Sequence, residues 1–147
     1  MKTRFYLLIA FLAFIASVTI SDLIARMTIG GDSLATAFIE HAQWDWETAI
    51  GVLLLLIPFA GVALICAAAN QRVRTRSAVA IFGVSLAILA YFYFDGFQAA
   101  QQAMVQERWT AATLSIGLLP FFIGLPLLAV TVVAAVVAMS VDRRPAV

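Results

Sequence analysis

The chain has 147 residues, of which 64% are hydrophobic and 12% are charged, and its net charge is +1. A soluble domain is about half apolar and about a quarter charged, so this composition predicts an all-α integral membrane protein instead. One cysteine and one histidine exclude an intramolecular disulfide and a haem held between two histidines of one copy, and no dense basic face predicts a nucleic-acid partner.

Long apolar runs, taken in chain order, predict four membrane-spanning helices within a single domain of residues 1–147. Their expected bounds are about 5–27, 46–69, 77–97 and 109–140. The first run has the basic start of a secretory signal, but its cleavage site is weak, so we interpret it as a retained helix. The third helix is expected to continue past the lipid, because helix-forming residues follow it.

A short amphipathic helix is predicted at about residues 33–43, between the first two spans. Gly30 and Gly31 break the preceding helix, and Asp32 or Ser33 can cap the next one. This segment is too short and too polar to cross a bilayer, so we expect it to lie on the outer membrane surface or over the end of the helices. Within the spans, proline predicts kinks in the second and fourth helices, at Pro58, Pro120 and Pro126.

The distribution of charge predicts the orientation in the membrane. Four spans place both termini on one side, and that side holds seven of the nine basic residues: Lys2, Arg4, Arg72, Arg74, Arg76, Arg143 and Arg144. The opposite boundary holds all three tryptophans: Trp44, Trp46 and Trp109. Basic residues favour the cytoplasmic side and tryptophan favours the interface. We therefore expect an up-and-down four-helix bundle in a bacterial-type cytoplasmic (inner) membrane, with both termini in the cytoplasm.

Two stretches of the sequence contain similar motifs. A Gln-x-x-Trp motif at residues 43–46 and again at 106–109 is followed each time by Pro-Phe, at residues 58–59 and 120–121. One interpretation is a tandem two-helix repeat with halves 1–71 and 72–147, related by an axis along the membrane normal. The other is chance, because tryptophan and proline have favoured depths in any membrane helix.

The outer side collects the polar residues that could carry chemistry: Asp22, Arg26, Glu40, His41, Asp45, Glu47, Asp95 and Glu107. Carboxylates beside an imidazole can bind a divalent cation or move protons. The competing interpretation is a solvated acidic rim. The adjacent Glu40 and His41 are expected to point apart on a helix, and the spacing matches no metal motif. Accordingly, no metal site and no cofactor are predicted.

Two of these acids lie at matching outer ends of the first and third spans. Asp22 is four residues before Arg26, a spacing that predicts an ion pair on one helix face. Asp95 has no basic residue nearby in the sequence, and Arg108 is its candidate partner across the loop. No acid, base or asparagine falls near the middle of any span, which is unusual for an ion-coupled carrier.

The function expected from these features is not enzymatic, because no nucleophile–base pair, phosphate loop or cofactor fingerprint is present. The leading hypothesis is a non-catalytic accessory or scaffold subunit that contacts the lipid bilayer and either other membrane subunits or copies of itself. One alternative is a small transporter or channel lined by the kinked second and fourth spans, which predicts a wet cavity reaching the midplane. The other is an outward-facing metal-binding or lipid-binding protein.

Overall fold

A computed structural model describes residues 2–43 and 46–142, with side chains for all of these except 46–48. The described residues contain helices and no strand. The helices, in chain order, are α1 (Thr3–Ala25), α2 (Leu34–His41), α3 (Trp46–Ala69), α4 (Thr75–Val105), α5 (Trp109–Gly117) and α6 (Leu125–Val141). Two wider π-helical turns extend this set: π1 (Arg26–Gly30) follows α1, and π2 (Pro120–Gly124) precedes α6.

Four helical stretches in the described part of the chain are long and apolar enough to cross a membrane. They are Thr3–Gly30, Ala49–Ala69, Thr75–Val105 and Trp109–Val141. The prediction of an all-helical membrane protein with four candidate spans is therefore confirmed. As expected, α4 continues beyond residue 97, and its 31 residues correspond to about 46 Å, which exceeds the roughly 30 Å thickness of a hydrocarbon layer.

Aromatic side chains build the centre of the core, where α1 packs against both α3 and α4. Phe59 of α3 is fully buried. Its ring meets Phe14 of α1 at a centroid distance of 5.5 Å and Tyr93 of α4 at 5.1 Å, both edge-to-face. Such pairs contribute about 0.5–1.5 kcal/mol beyond the area that they bury. Phe59 therefore joins the three helices.

The prolines of the two proposed repeat halves have different structural settings. Pro58 lies inside the continuous helix α3, whereas Pro120 opens π2 and follows a turn at residue 118. The aromatic residues after them differ as well, since Phe59 is buried and Phe121 is 52% exposed. Pro126 lies in the first turn of α6, where proline is tolerated. The last span is thus interrupted, while the second is not.

Candidate functional site

Four of the predicted polar residues meet where α1 ends and α2 passes beside it. The Nε of Arg26 donates to Oδ2 of Asp22 at 2.9 Å, and its Nη1 bonds Oε2 of Glu40. His41 Nδ1 lies 2.8 Å from the same Oδ2 of Asp22. We call Asp22, Arg26, Glu40 and His41 the outer polar cluster. The predicted ion pair between Asp22 and Arg26 is present in the structure.

The backbone between α1 and α2 explains how residues so far apart in sequence come together. The chain widens into π1 after Ala25 and then turns at Gly31, whose φ of 77° lies in the left-handed region that glycine adopts without strain. Ser33 caps α2, because its side chain accepts a hydrogen bond from the backbone N–H of Thr36 at 3.2 Å. This turn returns α2 towards the end of α1.

Glu40 and His41, which were expected to point apart on their helix, both contact residues of the outer polar cluster. The buried residue of α2 is Ala37, which marks the face that packs on the protein. At 100° per residue, positions 40 and 41 flank position 37 on either side of that face. Glu40 therefore reaches Arg26 while His41 reaches Asp22, so that adjacent residues serve the same cluster.

The cluster is partly shielded from solvent. The side chains of Asp22, His41 and Arg26 are 14%, 21% and 22% exposed, whereas that of Glu40 is 45% exposed. The guanidinium of Arg26 lies between two carboxylates, which is the position that a bound metal ion would need. No group of three metal-ligating side chains suited to an ion occurs among the described residues.

A groove of about 500 Å³ runs from the outer polar cluster down the surface of α1 and α3. All four cluster residues line its outer end. Its deeper wall is apolar and contains Phe11, Phe14, Ile15 and Leu55. We call this cavity the outer groove. It has a charged mouth and a hydrocarbon-like interior within a single continuous space.

The groove extends along about three turns of α1. Phe11 precedes Asp22 by eleven residues on the same helix, which corresponds to about 16 Å at a rise of 1.5 Å per residue. Below the level of Thr19, the wall contributed by α1 consists of Val18, Ile15, Phe14 and Phe11. The α1 side of the groove below Thr19 is therefore lined by apolar side chains alone.

The remaining predicted site residues do not join the cluster. Asp95 and Glu107 are exposed, and the suggested pair between Asp95 and Arg108 is not formed among the residues that the structure describes. Asp45 and the side chain of Glu47 lie outside the described residues.

A second polar contact, at the opposite end of the helices, was missed by sequence reasoning. Asp142 follows α6, and one of its carboxylate oxygens lies 3.2 Å from Nε of Arg74. Its other oxygen accepts a hydrogen bond from Ser77 in the first turn of α4. The two contacting segments are 65 residues apart and carry no motif, so only the fold brings them together. This contact joins the start of α4 to the end of α6.

The four long apolar helices indicate a multi-pass helical membrane protein, and the groove gives it an amphipathic cavity at one end of the helices. In the neutral state, an imidazole held through Nδ1 by a carboxylate presents a lone pair at Nε2, so the cluster can accept hydrogen bonds from a polar group in the groove mouth. No protein family model, no curated protein and no solved structure is significantly similar to this chain.

Proposed function

We propose that this chain is a non-catalytic accessory membrane protein that holds a lipid-like amphiphile in the outer groove. The observation that carries the proposal is the continuity between the charged mouth at Asp22 and Arg26 and the apolar wall at Phe14 and Leu55. A molecule with a polar head and a hydrocarbon tail matches both parts. A purely polar solute would leave the apolar wall unmatched, and a hydrocarbon alone would leave the charges unmatched.

The size of the groove agrees with a small-molecule site. Ligand pockets usually have volumes of about 300–1,000 Å³, with mainly apolar walls and a few polar groups that fix orientation. The outer groove, at about 500 Å³, falls within this range. Its polar residues lie at the outer end of α1, which is where the headgroup layer of a bilayer would begin.

Helix α2 also supports placing the groove mouth at the headgroup layer of a bilayer. Leu34, Phe38 and Ile39 of α2 are 59%, 58% and 61% exposed. An amphipathic helix with large apolar side chains on its free side is typical of one that lies in the membrane interface. We therefore propose that α2 rests in the outer leaflet beside the groove mouth, so that lipid enters sideways from the bilayer.

A transporter or channel is less well supported than a binding protein. Transport of a polar solute needs a wet or charged path near the midplane. The deepest residues of the outer groove are Phe11, Phe14 and Leu55, none of which can replace the hydration of an ion. The groove therefore has the walls of a tail-binding site rather than those of a conduction path.

The proposal includes a topology and a location. The four spans form an up-and-down bundle in a bacterial-type cytoplasmic membrane, with both termini in the cytoplasm. The support is the basic residues predicted on that side, since lysine and arginine near span ends stay in the cytoplasm.

Single cysteines at residue 74 and at residue 107, in a Cys66→Ala background, test this topology. An impermeant thiol reagent applied to intact cells should label only position 107, and labelling of position 74 alone would contradict it.

The accessory role predicts a physical partner, either a larger membrane complex or further copies of this chain. Mild detergent extraction at native expression, followed by measurement of mass and composition, tests this part of the proposal. A stoichiometric partner or a defined homo-oligomer is expected. A monomer with no associated protein would contradict the accessory role while leaving lipid binding open to its own test.

Filling the groove tests lipid binding. Gly51 lines the groove, and a Cβ placed there meets no atom within 4 Å, so Gly51→Phe attaches a ring at the groove without a clash at its first carbon. Gly83 of α4 is equally open but lies outside the groove, which makes Gly83→Phe the matched control. We expect the purified Gly51→Phe protein to lose most of its retained lipid, while the control keeps it. Equal retention by both variants would refute the proposal.

A further inference from the structure

We infer that the outer groove selects an amphiphile whose headgroup is a primary ammonium, as in an aminophospholipid. The inference rests on the proposed function and adds the chemical class of the ligand. It follows from which atoms of the outer polar cluster are already bonded and which remain available.

The available atoms of the cluster are hydrogen-bond acceptors. Within the described part of the chain, both contacts of Asp22 use Oδ2, and the contact of Glu40 uses Oε2. Oδ1 of Asp22 and Oε1 of Glu40 therefore remain as acceptors. When Nδ1 of a neutral His41 donates to Asp22, its Nε2 presents a third lone pair. A primary ammonium has three N–H donors, equal in number to these acceptors.

The charge of the cluster favours the same headgroup. Two carboxylates and one guanidinium sum to −1 when the imidazole of His41 is neutral. The surrounding outer side adds further acids, since seven of the eight acidic residues are predicted there and only two of the nine basic residues. A cationic group is attracted to such a surface, and an anionic one is repelled.

An anionic headgroup would have to compete for the cation of the cluster. Arg26 already donates from Nε to Asp22 and from Nη1 to Glu40, so its charge is neutralised from two sides. A headgroup whose only charge is a phosphate or carboxylate could use only the guanidinium N–H groups that remain. Its anion would also stand next to two carboxylates that repel it, whereas a zwitterionic headgroup can turn its ammonium towards them.

Three lipids with identical acyl chains distinguish the effect of headgroup charge from the effect of headgroup N–H donors. Phosphatidylethanolamine carries a primary ammonium, phosphatidylcholine carries a quaternary ammonium without N–H donors, and phosphatidylglycerol is anionic. The full-length protein is incubated with an equimolar mixture of the three, and the bound lipids are counted by native mass spectrometry. We expect phosphatidylethanolamine to be enriched roughly tenfold over phosphatidylcholine, from its charge-assisted hydrogen bonds, and more over phosphatidylglycerol.

Two variants assign the preference to the cluster, and a third tests the groove. Glu40→Gln removes one charge at a half-exposed position whose contact is with Arg26, and should reduce the enrichment roughly fivefold. Asp95→Asn removes an exposed outer acid that does not line the groove, and should change the enrichment much less than Glu40→Gln does. Gly51→Phe should remove most of the retention of all three lipids.

The outcomes test the ammonium preference and lipid binding in the groove separately. Equal binding of phosphatidylethanolamine and phosphatidylcholine, or a preference for phosphatidylglycerol, overturns the ammonium inference while leaving lipid binding in the groove intact. An unchanged preference in Glu40→Gln also overturns the inference. Lipid retention that is insensitive to Gly51→Phe overturns the proposed function itself.

Discussion

His41 Nδ1 lies 2.8 Å from Oδ2 of Asp22, a contact between residues 19 positions apart. The same oxygen accepts the hydrogen bond from Nε of Arg26, so one carboxylate oxygen holds both the imidazole and the guanidinium. Because Ala37 is the buried residue of α2, apolar packing against this helix is small. The position of α2 at the groove mouth therefore depends largely on these polar contacts.

Removing the guanidinium of Arg26 should weaken the attachment of α2 to the end of α1. Arg26→Gln leaves the carboxylate of Asp22, whose side chain is 14% exposed, without its charged partner, at a cost of about 1–3 kcal/mol. We expect amide hydrogen exchange over residues 34–41 to accelerate roughly tenfold or more while α3 and α4 stay protected. Arg108→Gln removes the other outer arginine, which is exposed, and serves as the control. Equal protection of α2 in both variants would show that the cluster does not hold it.

The hydroxyl of Tyr93 supports the backbone of α3 beside its proline. It donates to the carbonyl of Leu55 at 2.8 Å, one residue after Leu54, whose carbonyl loses its usual helical partner at Pro58. Tyr93→Phe should lower the free energy of unfolding by about 0.5–2 kcal/mol, because hydrogen bonds between membrane helices are modest. Tyr91→Phe, at a 66% exposed position, is the control and should be neutral in reversible unfolding from mixed micelles.

A close approach between α3 and π2 depends on a glycine. A Cβ at Gly124 would collide with the ring of Pro58, which is rigid and cannot move aside. Gly124→Ala should therefore destabilise the protein by about 1–3 kcal/mol and lower its melting temperature in detergent. Gly83→Ala places a methyl group in open space and should be neutral or slightly stabilising. Equal melting temperatures for the two variants would show that the close approach at Gly124 does not contribute to stability.

The loop after α4 contains a residue in an unfavourable conformation. Glu107 has a φ of 58°, while Arg108 N–H bonds the carbonyl of Ala103 at 2.8 Å and Glu107 N–H bonds that of Met104 at 2.9 Å. This is the hydrogen-bond pattern of a helix C-terminus that usually has glycine at this position. Glu107→Gly should raise the free energy of unfolding by about 1 kcal/mol by removing steric strain. Glu107→Ala changes the charge in the same way but keeps the strain, so it should not match the glycine variant.

Much of the architecture could be predicted from hydrophobicity and local spacing. The four candidate spans follow from apolar runs, and the bond between Asp22 and Arg26 follows from their separation of one helical turn. Ser33 was one of the two expected caps of α2, and the structure uses it. These features depend on residues close together in sequence, where the geometry of a helix fixes what can meet.

The features that could not be predicted depend on which side of an element faces the protein. In a soluble protein the side of α2 with Leu34 and Phe38 would pack inward, but here those residues are exposed and Ala37 packs instead. The contact of Asp142 with Ser77 and the different settings of Pro58 and Pro120 are also set by tertiary packing. The outer groove arises between helices, so no local pattern encodes it.

The most direct test of lipid binding is to locate the retained lipid. A photoreactive amino acid is introduced at Ile15, which lines the outer groove, and in a second protein at Phe122, which is 70% exposed outside the groove. Each protein is purified in detergent until bulk lipid is removed, then irradiated, and the covalent lipid adducts are measured by mass. The account predicts a lipid adduct at position 15 and little or none at position 122. Equal labelling at the two positions, or none at position 15, would contradict it.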